Sequence, residues 1–382
     1  MERSSHSMLA LAFAFGGAAA LSGCGGSSAS SPGAAEAATL ATHRATQSVA
    51  GSSQAPNPYP TTPGATYVDN YALVTSTTPG KTVKTTGTVT TTIGSATTFN
   101  GYAAVDYHSV LDYSKTNGDT GSTTTDSYRN FTGNGYYEYG DVVSGTSTQS
   151  GVTTTSGSTQ TYGSPFILDI LPEKNGNEAT EPGAYTLDSS SSSSSGSSTT
   201  TTYSRNDDGS SSESESIQRN GNTYSYSDTI NADFSASESN TQPGQPSTGT
   251  TTFSAPAGGV VTVTYTPPGG GPQTTQVPVW WGSTPLLSDV FEEIASKEPV
   301  PTRCKSAYDG QLSANLREFI SSVDPVAGTT NQEVRDKFVV PGTGVVCVTE
   351  TRTVTKYDNR TTGAEVEKTT YSGAQGLQTY TP

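Results

Sequence analysis

From Thr66 onward the chain alternates larger apolar positions with threonine, serine and other small polar residues. The runs TYVDNYALVTSTT (Thr66–Thr78) and KTVKTTGTVTTTI (Lys81–Ile93) set the pattern, and Asn100–Lys115, Thr132–Val143 and Gly221–Ser237 continue it. A period of two puts alternate side chains on opposite faces of a strand, and the Gly, Asn and Asp residues between runs are turn formers. The pattern predicts antiparallel strands joined by hairpins, with one apolar or aromatic face and one Thr/Ser face in water. Gly258–Trp281 reads as a further hairpin that turns at Pro267–Pro272. Gly344–Tyr357 and Gly363–Ser372 read as a terminal one.

The spacing changes after Gly282. Ser283–Pro299 carries Leu286, Leu287, Val290, Phe291 and Ile294 at helical intervals, behind Thr284 as a cap and Pro285 in the first turn. Gln311–Val323 places Leu312, Leu316, Phe319, Ile320 and Val323 in the same way. Thr330–Phe338 opens with a capping-box pair, Thr330 and Glu333. The expected fold is therefore mainly β: one or two large antiparallel meander sheets, with a few short helices near the C-terminus that plug or cap them. Residues 66–282 form the β region, and residues 283–382 form a helical insert plus terminal hairpin of the same domain.

Two stretches interrupt the pattern. Asp188–Thr202, DSSSSSSSGSSTTTT, cannot bury apolar surface and is expected to be weakly ordered, as a linker or a polar strand edge. On either side of it the sequence echoes itself. Asp112–Asp141 and Thr202–Asp228 both run from Tyr-Ser-basic through a polar strand to an Asn-Gly turn and alternating tyrosines. Duplication of a β-meander is one explanation, and the general likeness of Thr/Ser/Tyr hairpins is the other. Ser164–Gly176 is one of the densest apolar patches and is expected to pack the first sheet, ending at Pro172.

The front of the chain is of another kind. Met8–Leu21 is apolar and uncharged, and too short for a bilayer-spanning helix, so it reads as the core of an export signal. Leu21-Ser22-Gly23-Cys24 follows it. An aliphatic residue, two small residues and a cysteine in that order resemble the lipobox of bacterial lipoproteins. The resemblance covers the first two dozen residues only. It implies cleavage before Cys24, diacylglycerol on the Cys24 sulfur and an acylated new N-terminus. Gly25 rather than aspartate follows the cysteine, which in lipoproteins of enteric bacteria favours the outer membrane, facing the periplasm or the cell surface. On this reading residues 1–23 are a signal peptide. Residues 24–65, rich in Ala, Ser, Gly, Pro and Thr, are a flexible tether. Such tracts also resemble O-glycosylated segments of some envelope proteins.

Charge and cysteine usage fit an exported chain. Only 14% of residues are charged and 31% hydrophobic, so the chain is polar without the high charge of typical disordered sequences. The net charge of −15 lies entirely before Lys297, beyond which acids and bases balance. An acidic surface repels phosphate backbones, which excludes nucleic acid as a partner. Electrostatics likewise give it no hold on anionic lipid, so membrane contact rests on the anchor at Cys24. With Cys24 lipidated, Cys304 and Cys347 are left as a pair, and in an exporting compartment they are expected to form a disulfide.

Catalytic signals are sparse. His108 is the one histidine in the folded sequence and reads as a strand-surface residue; no G-x-S-x-G elbow accompanies it. Neither a metal-ligand spacing nor a cofactor motif is present. Glu213 and Glu215 lie on one face of a strand at a spacing of about 6.5 Å, as in a glycosidase pair, but their serine flanks point to a solvated face. The Asn/Asp/Gly clusters at Thr116–Gly121 and Arg205–Ser210 read as hairpin turns. Tyr136, Tyr139, Tyr224, Tyr226, Trp280 and Trp281 are the candidate ligand contacts, with sheet cover as the competing role. If the two tryptophans continue a strand, they point to opposite faces.

These readings converge on a lipid-anchored envelope module that binds or builds rather than catalyses. Its partner is an envelope protein, a glycan or an amphiphile. The main alternative is a carrier: a curved sheet holding an amphiphile, plugged by a Leu286–Ile294 helix. A hydrolase is a distant third.

Overall fold

The computed structural model describes residues 62–381, apart from 79, 133–134, 171–177, 180–183, 195, 207, 245–247 and 341–342. Strands dominate it. In chain order they are β1 (Thr66–Thr78), β2 (Lys81–Phe99), β3 (Tyr102–Lys115), β4 (Thr120–Thr132), β5 (Gly135–Gln149) and β6 (Val152–Ile170). Then come β7 (Glu178–Ala179), β8 (Tyr185–Ser193), β9 (Ser198–Arg205), β10 (Ser211–Arg219), β11 (Asn222–Ile230) and β12 (Ala236–Thr241). After these lie β13 (Gly249–Phe253), β14 (Val260–Thr266), β15 (Gln273–Pro278) and β16 (Leu287–Pro299). The last four are β17 (Leu312–Asp324), β18 (Thr329–Val340), β19 (Gly344–Tyr357) and β20 (Glu365–Thr381).

All of them belong to one antiparallel sheet. Neighbours in sequence are neighbours in space from β1 to β6 and from β8 to β15. β6 pairs directly with β8, while the two-residue β7 reaches away to pair with β16. β16 to β20 form a second meander, and β20 closes onto β1. The two meanders are thus one surface joined through the first and last strands.

The sheet folds back on itself, and side chains from distant strands meet inside the fold. Tyr162, Tyr185, Leu187 and Tyr203 of β6, β8 and β9 share a buried cluster with Val339 of β18 and with Val345 and Val348 of β19. Ile230, Ala236, Phe253, Val261, Val263 and Val277 of β11–β15 pack with Trp281 and with Val323 and Val326 at the β17–β18 turn. The outward positions are hydroxyl-rich, as in Thr86 and Thr88 of β2, Thr186 and Ser190 of β8, and Ser212 and Ser214 of β10.

Three expectations are corrected here. The helices near the C-terminus are strands: Leu286–Ile294 runs into β16, Gln311–Val323 is β17 and Thr330–Phe338 lies in β18. Among the described residues the last third keeps only one 3-10 turn, Thr302–Cys304. β16 pairs with β17 through register shifts at Glu293/Ala295 and Ala295/Glu298, which mark bulges in its second half. The Ser/Thr tract is a two-stranded hairpin of β8 and β9 in the middle of the sheet, paired on both sides. Tyr185 and Leu187 fix its inner face, and the backbone ladder carries the serines. Glu213 and Glu215 face inward and are buried at 4% and 7% exposure.

Other expectations hold. The Pro267–Pro272 turn joins β14 to β15, and β19 pairs with β20. The two echoing segments fold as comparable three-strand meanders, β3–β5 and β9–β11. The turn residues act as read. Asn206 Nδ2 donates to Ser210 Oγ at 2.8 Å, and Ser210 N and Oγ donate to Asp208 at 3.0 and 2.6 Å. Asn231, Asp233 and Ser235 repeat the same arrangement in the next turn but one. Ser164–Ile170 completes β6, and residues 171–176 of that patch lie outside the described residues.

The segment between β16 and β17 lies as a strap over the outer face of β19 and β20. Cys304 is joined to Cys347 of β19 by a disulfide with Cα atoms 5.8 Å apart. Ala307 N and Ser306 Oγ donate to Leu377 O at 2.8 and 3.1 Å. The approach is so close that a Cβ on Gly376 would sit 2.0 Å from the Cys304 carbonyl oxygen, so only glycine fits there. Cys304, Phe338, Val346, Cys347 and Leu377 form the buried cluster beneath the strap.

Candidate functional site

The inner face is charged as well as apolar, and three groups of charges stand out among the described residues. In the first, Arg129 of β4 faces Glu138 of β5 and donates through Nε to Oε2 at 2.8 Å, both residues being fully buried. Asp141 and Gln160 are a buried cross-strand pair beside them. Burial raises the Glu138 carboxyl to about 7 against the opposing pull of Arg129. Burial, then the charge of Glu138, raises Asp141 well above the usual carboxylate range.

The second group is a row across the other meander. Glu318 of β17, Arg335 of β18 and Glu350 of β19 are successive cross-strand neighbours. Arg335 Nη1 donates to Glu318 Oε2 at 2.9 Å, Nη2 donates to Glu333 Oε1, and Nη2 lies 4.0 Å from Glu350 Oε2. One guanidinium thus serves three carboxylates, all four residues being at most 6% exposed. Beside it, Arg352 donates through Nε to Asn331 Oδ1 at 2.9 Å and lies over the Tyr371 ring.

The third group is acidic. Tyr203, Glu213, Asp228, Glu238 and Thr251 are aligned across β9, β10, β11, β12 and β13, one residue per strand. Neighbouring strands are about 4.8 Å apart, so three carboxylates stand in adjacent positions on a buried face. Tyr226 Oη donates to Asp228 Oδ2 at 2.8 Å. Arg360, presented by the β19–β20 turn, donates from Nη2 to Glu238 Oε1 at 2.6 Å and from Nη1 to Thr251 Oγ1 at 3.0 Å. Burial, then Asp228, Glu215 and Asp324, raises Glu213 to about 9. Among the described residues no three His, Cys, Asp or Glu side chains have the arrangement of a metal site.

The aromatic candidates do not form one site. Tyr139 is buried and stacks on Tyr102 at 4.8 Å. Tyr136 is placed on β5 by pairing with Phe131 and Asp169, and its side chain lies outside the described residues. Tyr224 and Tyr226 are half-buried on β11, on the same face as Asp228. Trp280 and Trp281 follow the end of β15 rather than continuing it, so they do not point to opposite faces. They meet edge to face at 5.0 Å; Trp280 stacks on Tyr357 and Trp281 on Phe234. Both serve the cluster that joins β11–β15 to the β17–β18 turn. His108 is on the outer surface, its Nδ1 2.5 Å from Asp126 Oδ1. Cys24 lies outside the described residues.

No family model and no curated protein matches the chain. Solved structures found similar to it include a porin-like protein from Bacteroides uniformis, at 12% identity over 84% of this chain and 98% of that one, with a TM-score of 0.21. OpdQ from Pseudomonas aeruginosa is another, at 8% identity over 82% and 98%, with a TM-score of 0.23. Scores this low carry neither fold nor function over to this chain. The outward side chains bear directly on the matter. A transmembrane barrel turns an apolar band to the lipid, whereas the exposed rows on β2, β8 and β10 are threonine and serine.

Proposed function

We propose that this chain is an outer-membrane lipoprotein, anchored through Cys24, whose β body works by binding or as a structural element of the cell envelope. The observation that carries the reading is Leu21-Ser22-Gly23-Cys24 at the end of an uncharged apolar run, ahead of a body with a hydroxyl-rich outer face. Two or three acyl chains hold a protein stably to a bilayer without apolar surface from the body itself. The interior supports a non-catalytic role. Many of its charges are engaged with one another across the sheet, as Arg335 is with Glu318 and Glu333. The same interior weighs against the amphiphile carrier, because ion pairs occupy the face that an acyl chain would line. The plug that reading required is a strand.

The test is metabolic labelling with an alkyne palmitate analogue in a Gram-negative host, followed by density separation of the membranes. The full chain is expected to take the label and to travel with the outer membrane. Its Cys24→Ser variant is expected to lose the label and to appear in the soluble fraction. An unlabelled, soluble wild-type chain would remove the proposal.

A further inference from the structure

The acidic row lies where the two meanders meet, and one member of it stands apart. Glu213 is 96% buried by its 4% exposure, and its Oε1 has no hydrogen-bond partner among the described residues. Each element packed around it contributes a titratable or charged group. On β9, Tyr203 is its direct neighbour and Arg205 lies two residues on. Glu215 shares its own strand. Asp228 on β11 is its other direct neighbour, followed by Glu238 on β12. Asp324, at the end of β17 in the opposite meander, acts on it electrostatically. Among the described residues two guanidinium groups are bonded to the row: Arg360 is committed to Glu238 and Thr251, and Arg205 to Tyr203.

Asp324 is also the residue that shapes the β17–β18 turn. Its Oδ1 accepts from Val326 N at 2.9 Å and from Ala327 N at 2.8 Å. Asn359 of the β19–β20 turn ties in the same segment, donating to Pro325 O and Val326 O at 2.7 and 2.8 Å. That segment carries Val323 and Val326, which pack against Ile230, Phe253 and Trp281. The contact between the two meanders therefore has an apolar part at Trp281 and an acidic part at Glu213, held by the same turn.

We infer that Glu213 is a proton-operated latch: the contact between the β10–β12 wall and the β17–β18 turn is closed while Glu213 carries a proton and loosens when that proton leaves. Ionisation adds a negative charge to a buried group already repelled by Asp228, Glu215 and Asp324, where the nearby guanidinium groups of Arg205 and Arg360 are engaged with Tyr203, Glu238 and Thr251. The direction follows from linkage. The folded chain holds this proton to a higher pH than the unfolded chain does. The contribution is therefore fully present below the ordinary carboxylate range and is lost as pH rises through the folded-state value. The inference does not depend on the lipid anchor, and its failure would leave that proposal standing.

The experiment uses the folded protein and its Glu213→Gln variant, with acrylamide quenching of tryptophan fluorescence followed as pH is raised. In the wild type, quenching is expected to increase through one transition centred well above pH 5, the ordinary carboxylate range, and to be absent from the variant. Melting is the second readout. The variant is expected to match the wild type near about pH 5 and to melt about 5 °C higher near about pH 8. The same transition in both proteins, or none in the wild type between about pH 6 and pH 10, overturns the latch. Should Glu213→Gln fail to fold, Glu213→Met, which likewise cannot ionise, takes its place under the same criteria.

Discussion

Arg335→Ala is expected to lower the stability of the folded chain by about 3–5 kcal/mol, the loss typical of breaking a buried ion pair from one side. Arg335 is 2% exposed and donates to Glu318 and Glu333, with Glu350 at 4.0 Å. Its removal leaves three carboxylates on one buried row with their shared cation gone. The expected loss is larger than for an exposed pair such as His108 with Asp126, where solvent competes for both groups. It should also depend on pH. Unpaired buried carboxylates take up protons readily, so the deficit of the variant narrows as the medium is acidified. The measurement is the urea midpoint of wild type and variant at neutral and at mildly acid pH. A variant carrying Arg335→Met with Glu318, Glu333 and Glu350 all changed to Gln should recover most of the loss, because no uncompensated charge remains. Equal midpoints for Arg335→Ala and wild type would mean that the row is open to water.

The same row shows why part of the fold was hidden in the sequence. β1 and β2 were legible because their large apolar residues, Tyr67, Tyr71, Leu73, Val89 and Ile93, fall on the buried positions of a period of two, with Asp69, Thr85 and Thr91 filling the remaining buried places. In β17 the large apolar residues do not keep to the buried positions. Its inner face buries Glu318 with Ile320, while Phe319 and Leu312 are exposed at 37% and 61%. Scored by hydrophobicity, such a strand loses its period of two, and the leftover spacing of Leu312, Leu316, Phe319 and Ile320 imitates a helix. Thr330 and Glu333 suggested a helix cap for a similar reason, although Glu333 is there to accept from Arg335. Tertiary pairing of charges decided the local structure, and no single segment contains its own explanation.

The acidic row could have been found by counting. Asn220-Gly221 is a two-residue turn with both residues at positive φ (52° and 74°), the geometry that pairs flanking residues symmetrically. Arg219 opposite Asn222 then forces Glu213 opposite Asp228, as observed. The serines around Glu213 suggested solvent because they were taken as its environment. They occupy the other face, and its environment is the neighbouring strands. The addition of Asp324 was beyond reach from sequence, since it needs the fold-back that brings β17 to β10. The cysteine pair was legible from the compartment, and its strap was not, because the close approach at Gly376 depends on which face of β20 the segment crosses.

Reduction of Cys304–Cys347, or replacement of both cysteines by alanine, is expected to cost about 4 kcal/mol for a loop closed over 43 residues, on the chain-entropy account. The closed segment spans the strap, β17 and β18, so the bond restrains the middle of the second meander in the unfolded chain. Its folded-state role is narrower. With the bond open, the strap keeps the hydrogen bonds of Ala307 N and Ser306 Oγ to Leu377 O, and that of Arg303 Nη2 to Thr349 Oγ1 at 2.5 Å. The strap is therefore expected to stay docked but to open more often than the sheet beneath it. Two measurements separate these effects. Urea unfolding with and without reductant reads the global loss. Hydrogen exchange under native conditions reads the local one, with faster exchange at Cys304–Ala307 and little change at the β18–β19 ladder. An unchanged urea midpoint after complete reduction would mean that the unfolded chain is already compact across this loop, which would shift the origin of the bond's effect from chain entropy to packing of the strap.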